Sequence, residues 1–294
     1  MKKLPVFDIL KTTCKKFNQD RCGNFAITIS YFALLCSIPV VSLFAYATTR
    51  ILGSSELAFR SLNIFSEEFF AKLDPAFFER VQGLSQNITN LGWFGLVGSF
   101  IAASFLFSNL IYSINFIFKT NAKKSFFYNR LMEYLIMFTL GIIMLASLFI
   151  TVIWMAVHRA IRASTIVAKY INPEVVSFIN NFFIQYLLPF ALTFFVFYAL
   201  YKFIPETRVH TRAALAAAVV SGFLWEVFKR IFAFYVAHFS AIGIVLSKLL
   251  KGTLTSIIFF LLWISFSLII LLWGAELAAA LNERIDAKEA KAEA

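Results

Sequence analysis

The chain contains few charged residues and few cysteines, and it has no run of polar sequence long enough to form a separate soluble domain. Only 15% of its 294 residues are charged, whereas about a quarter are charged in a soluble globular domain. The three cysteines, Cys14, Cys22 and Cys36, form no CxxC pair. We therefore expect reduced thiols and no disulfide framework. A mostly polar stretch precedes the first apolar run, which is too long for a signal-peptide core, so we expect no cleavable signal peptide.

Motifs for hydrolysis, nucleotide binding and metal coordination are also missing. The sequence contains no GxSxG, GxxxxGK[ST], GxGxxG, HxxxH or HExxH, and His158, His210 and His238 are far apart. The aspartates all lie outside the most apolar segments. We therefore expect no enzyme activity, no catalytic residues, no cofactor and no metal site.

Apolar residues are abundant instead. Hydrophobic residues make up 60% of the chain, which includes 37 phenylalanines, and the mean hydropathy is +0.79. A single compact core of this size cannot bury so much apolar surface, so lipid must cover much of it. The composition predicts an all-α fold, a polytopic membrane helix bundle.

Six segments are long and apolar enough to cross a bilayer, which requires roughly 20 residues each. They form a predicted membrane domain over residues 24–282. A cytoplasmic basic segment, 1–23, precedes this domain, and a charged cytoplasmic tail, 283–294, follows it. The predicted spans are 24–52, 91–118, 133–157, 182–204, 213–239 and 253–281.

The distribution of basic residues predicts the orientation. Sixteen of them fall in the N-terminal segment, the loops between spans 2 and 3 and between spans 4 and 5, and the C-terminal tail, against nine on the opposite side. Because lysine and arginine collect on the cytoplasmic side, both termini are predicted to be cytoplasmic. The basic residues that give the net charge of +11 then set the topology, and their side chains contact anionic lipid headgroups. Nucleic acid is not an expected partner.

Two flanking segments have amphipathic patterns. Residues 4–17 place apolar side chains at helical spacing with lysines between them, which predicts a basic helix lying on the cytoplasmic surface. The external loop 53–90 has helix-start signals and a phenylalanine-rich face. It is predicted to form a helical hairpin on the outer surface, where it could bind envelope proteins.

Charged residues within the fifth span are the strongest functional candidates. Each charge within a bilayer costs about 2.5–3.5 kcal/mol or more, and Glu226 lies well inside this span. Lys229 is three residues further along and Arg230 four, so either can pair with it. The pair is either a structural pin between helices or part of a path for a lipid headgroup or a proton. Both interpretations stay open.

Other polar residues within the spans have simpler explanations. Glu276 lies near the cytoplasmic end of the sixth span, where an interfacial pair with a loop arginine such as Arg212 is expected. Ser104 and Asn115 in the second span more often bridge helices than bind ligands. Pro39 and Pro189 are predicted to kink the first and fourth spans.

The order of several short motifs resembles the YihY/BrkB family of bacterial inner-membrane proteins over roughly residues 5–285. In the N-terminal half, Tyr31 to Leu35 is followed by Pro39, and Ser104 is followed by Asn115. The longest resemblance begins near Tyr201 and contains, in order, Pro205, Arg212, Trp225-Glu226, Lys229, Tyr235, Gly252, Trp263 and Gly274-Ala275-Glu276.

The resemblance implies a protein of the bacterial inner membrane that is linked to envelope integrity, and relatives have been tied to lipid export. The family also has an old ribonuclease label, which no residue in this chain supports. We expect a transporter or flippase-like protein for a lipid or another amphipathic envelope component. The expected pathway residues are Glu226, Lys229, Arg230, Tyr235, Asn115 and Ser104, and the residues with expected structural or interfacial roles are Pro39, Pro205, Arg212, Trp225, Gly252, Trp263, Gly274 and Glu276.

Two other functions fit the sequence. One is a proton- or cation-coupled transporter of small solutes, in which Glu226 carries the proton. The other is a scaffold that transports nothing and anchors envelope partners through residues 53–90.

Overall fold

All regular structure in the described part of the chain is helical. The computed structural model describes residues 6–36, 93–120, 187–238 and 253–293, together with residues 130, 131, 134–136, 138, 139, 141–143 and 182. Over these ranges the prediction of an all-α fold is confirmed, while the count of six spans stays a prediction. The helices are α1 (Val6–Gln19), α2 (Cys22–Cys36), α3 (Trp93–Ile117), α4 (Leu188–Phe203), α5 (Thr211–His238) and α6 (Thr253–Glu293).

One helix in the described residues is long and apolar enough to cross a membrane by length and composition. This segment of α6, Ile257–Lys291, reaches a mean hydropathy of 2.6. Shorter apolar helices are Cys22–Cys36, Ala103–Ile117 and Leu188–Phe203. The α6 helix continues beyond its apolar part, through the charged C-terminal residues, to Glu293.

Large apolar side chains cover much of the outer surface of these helices. Tyr112, Phe138, Phe223 and Ile231 are each more than 60% exposed. Soluble monomers rarely leave contiguous apolar surface of this kind uncovered, whereas lipid solvates it without cost. The outward phenylalanines therefore agree with a helical protein of the membrane.

Small residues on α5 bring the helices close together. Ala213, Ala214, Ala217 and Ala218 are buried at helical spacing, and their face packs against α4 and α6. In a membrane, where apolar burial does not drive association, close approach through small residues and polar contacts between helices take its place. A second contact of this type joins α2 to α6, where Ser265 Oγ donates to Ser30 Oγ over 2.9 Å.

Gly274 is the point at which α4, α5 and α6 meet. A Cβ atom at this position would overlap Ser221 Oγ of α5 and Tyr201 Oη of α4. Tyr201 is fully buried, and its hydroxyl donates to the Leu271 carbonyl oxygen of α6 over 2.9 Å. Only glycine allows this approach, so the predicted structural role of Gly274 has a direct physical cause.

The N-terminal helix α1 packs along the end of α6 that follows Gly274. Thr13 is buried and Phe17 packs against the core, while Lys11 and Lys15 face outwards. Lys16 Nζ lies 2.6 Å from Glu283 Oε2. A tight turn at Arg21, whose φ is 52°, then reverses the chain into α2. The predicted amphipathic helix is present, with its basic side exposed.

Several predictions fall outside the described residues. These are the external hairpin 53–90, Pro39, Gly252, the second half of the first span and most of the third span.

We predict that Gly274→Ala weakens the packing of α4, α5 and α6. The added methyl group overlaps two side chains that lie against the backbone, and overpacking of this kind costs about 1–3 kcal/mol. Thermal unfolding of the purified protein in detergent should show a lower midpoint. Gly222→Ala on α5 is the matched control, because its nearest neighbour would be Phe190 Cε2 at 3.5 Å, an ordinary contact. Equal midpoints for the two variants would contradict this account of Gly274.

Candidate functional site

Glu226 and Lys229 form an ion pair on α5. Lys229 Nζ lies 2.8 Å from both Glu226 Oε1 and Glu226 Oε2. Only 12% of the Glu226 side chain and 11% of the Lys229 side chain are exposed. Spacing of three residues along the helix allows this contact. Arg230, the second candidate partner, lies on the exposed side of the helix.

An aromatic cluster surrounds one end of this pair. Trp263 of α6 is at its centre, stacked on Phe228 at 5.2 Å between ring centroids and in contact with Phe232 and Trp225 at 5.0 and 6.0 Å. Lys229 Nζ lies 5.1 Å from the centroid of the Trp225 ring. A cation over the face of an indole gains about 0.5–2 kcal/mol, more when water is excluded. The lysine is therefore held by a carboxylate and by an indole ring.

A cavity of about 400 Å³ lies between the helices, and Trp225 forms part of its wall. Side chains from five helices and from residue 143 line it, and nearly all of them are apolar. The lining residues are Ile29, Ala33, Leu106, Phe107, Leu110, Ile143, Leu192, Thr193, Val196, Phe197, Trp225, Ile264, Ser267, Leu268 and Leu271. Its volume falls within the range of small-molecule sites, about 300–1,000 Å³.

Trp225 connects the ion pair with the cavity. Its indole Nε1 donates to Ser267 Oγ over 3.3 Å, and both residues belong to the cavity wall. The same indole ring contacts Lys229. The apolar part of a molecule that filled the cavity would therefore contact leucines and phenylalanines. The Glu226–Lys229 pair of the protein would lie next to the cavity wall, in contact with Trp225.

The other predicted pathway residues make separate contacts. Ser104 Oγ accepts a hydrogen bond from Arg130 Nη1 over 3.0 Å. Asn115 Oδ1 accepts one from the Glu206 backbone N over 3.0 Å, which ties the end of α3 to the loop that contains the buried Pro205. Tyr235 lies one turn beyond Phe232 and is 37% exposed. None of these three residues lines the cavity described above.

Glu276 differs from its expected environment. It is 1% exposed, and Cys22 Sγ at the start of α2 donates to its Oε1 over 3.4 Å. The expected partner Arg212 is exposed, and among the described residues no contact joins it to Glu276. Lys16, a cation close enough to act on this carboxylate, is engaged by Glu283. The structure therefore places Glu276 beneath α1 and the turn after it, in contact with Cys22, and its pairing with a loop arginine stays a prediction.

Apart from Trp225, sequence reasoning missed the residues that line the cavity, and it missed those that join the loop before α5 to α6. Apolar residues in a helix give no sign that a cavity lies between them. Asn282 was also missed, although it accepts a hydrogen bond from the His210 backbone N over 2.7 Å and donates to the Arg208 carbonyl oxygen over 3.3 Å. The signal that could have found it is an amide side chain next to the last apolar turn of α6.

Comparison with known proteins agrees with the resemblance found in the sequence. The profile of the family described as Virulence factor BrkB matches residues 13–294. A UPF0761 membrane protein of Vibrio cholerae is 28% identical over 275 residues, which covers 92% of this chain and 85% of the relative. Similar proteins, also described as UPF0761 membrane proteins, occur in Vibrio atlanticus (29% identical, 92% and 80% covered) and Acinetobacter baylyi (27% identical, 96% and 65% covered). No solved structure matches the chain.

We predict that Lys229→Met destabilises the protein and that adding Glu226→Gln restores most of the loss. The single change leaves a carboxylate without its ion-pair partner among aromatic rings, which costs about 3–5 kcal/mol for a buried pair. The double change removes both charges. Thermal unfolding in detergent should show a lower midpoint for the single variant alone. If the single variant is as stable as the wild type, the pair is not desolvated in the way the structure indicates.

Proposed function

The chain belongs to the virulence factor BrkB family of membrane proteins, and on that premise we propose that it transports a lipid or another amphipathic envelope component across the membrane. The observation that supports this proposal is the position of the Glu226–Lys229 pair beside the apolar cavity, with Trp225 between them. An amphipathic molecule has one part that matches each of these environments.

The apolar part of such a molecule gains little from the cavity alone. An acyl chain in the bilayer is already in an environment as apolar as leucine, so moving it between the helices has almost no hydrophobic driving force. Selection must therefore come from the headgroup. Lys229 contacts the ring of Trp225, which belongs to the cavity wall, and it can attract an anionic phosphate or carboxylate because lysine binds such groups as a point charge.

Glu226 gives Lys229 a partner when no substrate is bound. A lone charge within the bilayer costs about 2.5–3.5 kcal/mol or more, and the 2.8 Å pair offsets part of this penalty. An incoming anionic headgroup then takes over the contact with Lys229, and Arg230, four residues from Glu226 on the same helix, is the cation left to the displaced carboxylate. This exchange provides a reason why the lysine and the glutamate are both needed.

The topology that accompanies this proposal has six spans, with both termini in the cytoplasm and the protein in the bacterial inner membrane. The exposed Lys11 and Lys15 on α1 then face the anionic headgroups of the cytoplasmic leaflet. The basic side of α1 is thus available to lipid while its other side packs on α6. No enzyme activity and no nucleic-acid partner form part of the proposal.

Proton-coupled transport is a second candidate, and Glu276 favours it. Glu226 was the proton carrier expected from the sequence, but it is paired with Lys229. Glu276 is almost fully buried, and its described hydrogen-bond donor is the weak thiol of Cys22. A carboxyl group that is buried and has no cation in direct contact is suited to exchange a proton during a transport cycle. We therefore assign the proton in this alternative to Glu276.

We predict that Lys229→Ala and Glu226→Gln abolish lipid movement while membrane insertion is preserved. The measurement is the rate at which a fluorescent anionic phospholipid becomes accessible to an impermeant reductant in reconstituted vesicles. Ala33→Phe fills the cavity and should slow the same reaction by about tenfold or more. Ala216→Phe adds the same ring to an exposed position on α5 and serves as its control.

Two results would reject the transport proposal. One is an unchanged rate for both charge variants in vesicles that contain the same amount of folded protein. The other is an equal rate for Ala33→Phe and Ala216→Phe, since a lipid path through the cavity must be sensitive to its volume.

The role of Glu276 can be tested in the same vesicles. We predict that the wild-type rate changes with pH and that Glu276→Gln, which preserves shape and removes the titrating group, eliminates this pH dependence. Asp8→Asn is the control, because that carboxylate lies on α1 and is exposed. A pH profile for Glu276→Gln that matches the wild type would rule out proton exchange at this residue.

A further inference from the structure

Three potential metal ligands meet where the loop before α5 contacts the C-terminal part of α6. His210 Nε2 lies 2.8 Å from Asp286 Oδ1 and 3.8 Å from Glu289 Oε2. The ligand atoms of the three residues all lie within 4.8 Å of one another. In sequence His210 and Asp286 are 76 residues apart, so only the fold brings them together.

Asn282 holds both sides of this cluster in place. Its Oδ1 accepts a hydrogen bond from the His210 backbone N over 2.7 Å, and its Nδ2 donates to Asp286 Oδ2 over 3.1 Å. One oxygen of Asp286 is therefore oriented by the amide, while the other oxygen faces the imidazole. Outer hydrogen bonds of this type are what orient metal ligands in proteins.

The spacing on α6 places both carboxylates on one face. Asp286 and Glu289 are three residues apart on a helix, so their side chains are neighbours. Their side chains are 56% and 61% exposed, and that of His210 is 31% exposed. An ion can therefore enter from solvent, and water can complete its coordination.

We propose that His210, Asp286 and Glu289 bind a divalent transition-metal ion, with Zn²⁺ as the best match. One imidazole nitrogen and two carboxylate oxygens, completed by water, form a four-coordinate site for this ion. A neutral histidine and two carboxylates balance its charge of two. Calcium and magnesium prefer oxygen ligands alone, so the imidazole selects against them.

The bound ion would fasten the loop before α5 to α6. Loop and helix are now joined by the hydrogen bonds of Asn282 and by the contact between His210 and Asp286. A metal bridge would add a stronger link at the same place. This inference is independent of what the protein transports.

Metal binding is tested on the full-length protein, purified in detergent without a polyhistidine tag and stripped of metal by a chelator. Zn²⁺ is titrated against a chromophoric competitor, and Co²⁺ is added separately to record its absorption spectrum. We expect one ion per chain and no thiolate charge-transfer band. Such a band would instead report binding at Cys14, which is exposed. His210→Ala and Asp286→Asn should each weaken binding by about tenfold or more.

Glu283→Gln is the matched control, since it removes a carboxylate from the same helix one turn away and should leave the affinity unchanged. Zn²⁺ should also raise the unfolding midpoint of the wild type but not that of His210→Ala, which separates lost binding from lost folding. The proposal is overturned by an absence of binding, by wild-type affinity in both His210→Ala and Asp286→Asn, or by a thiolate band. In any of these cases the cluster is only an ion pair between histidine and acidic side chains.

Discussion

Gly274 allows the backbone of α6 to lie directly against Tyr201 of α4 and Ser221 of α5. The cavity wall and the polar contacts of the C-terminal part of α6 lie on either side of this contact. On one side of it, Leu271, Leu268 and Ile264 of α6 form part of the cavity wall. On the other side, Glu276, Asn282 and Asp286 follow within twelve residues and meet the start of α2 and the loop before α5. A single helix thus carries both the apolar and the polar contacts of the bundle.

The ion pair and the cavity have different physical roles. An apolar cavity in a membrane protein discriminates poorly among lipids, since the surrounding bilayer competes on equal terms. Under the transport proposal, the lysine held at 2.8 Å from its glutamate supplies the specificity, because only a ligand with a suitable charge can replace that contact. Trp225 belongs to both environments, through its ring against Lys229 and its indole nitrogen on Ser267.

Hydropathy and helical spacing predicted helices where α3 and α5 lie, and they named Lys229 as one of two possible partners of Glu226. The predicted second and fifth spans, 91–118 and 213–239, overlap α3 (Trp93–Ile117) and α5 (Thr211–His238), because apolar composition marks such helices. Contacts between distant residues were not predictable. Cys22 and Glu276 are 254 residues apart, and the periodicity of one helix contains no information about which neighbour covers it. The same limit applies to the cavity and to the cluster around His210.

The most direct test of the central claim is an electron cryo-microscopy structure of the protein in nanodiscs that contain anionic phospholipid. The account predicts density for an acyl chain between α2, α3, α4 and α6 that ends beside Trp225, with a headgroup oxygen in contact with Lys229 Nζ. A cavity that is closed by side chains, with the pair sealed from both the cavity and the two aqueous sides, would contradict it.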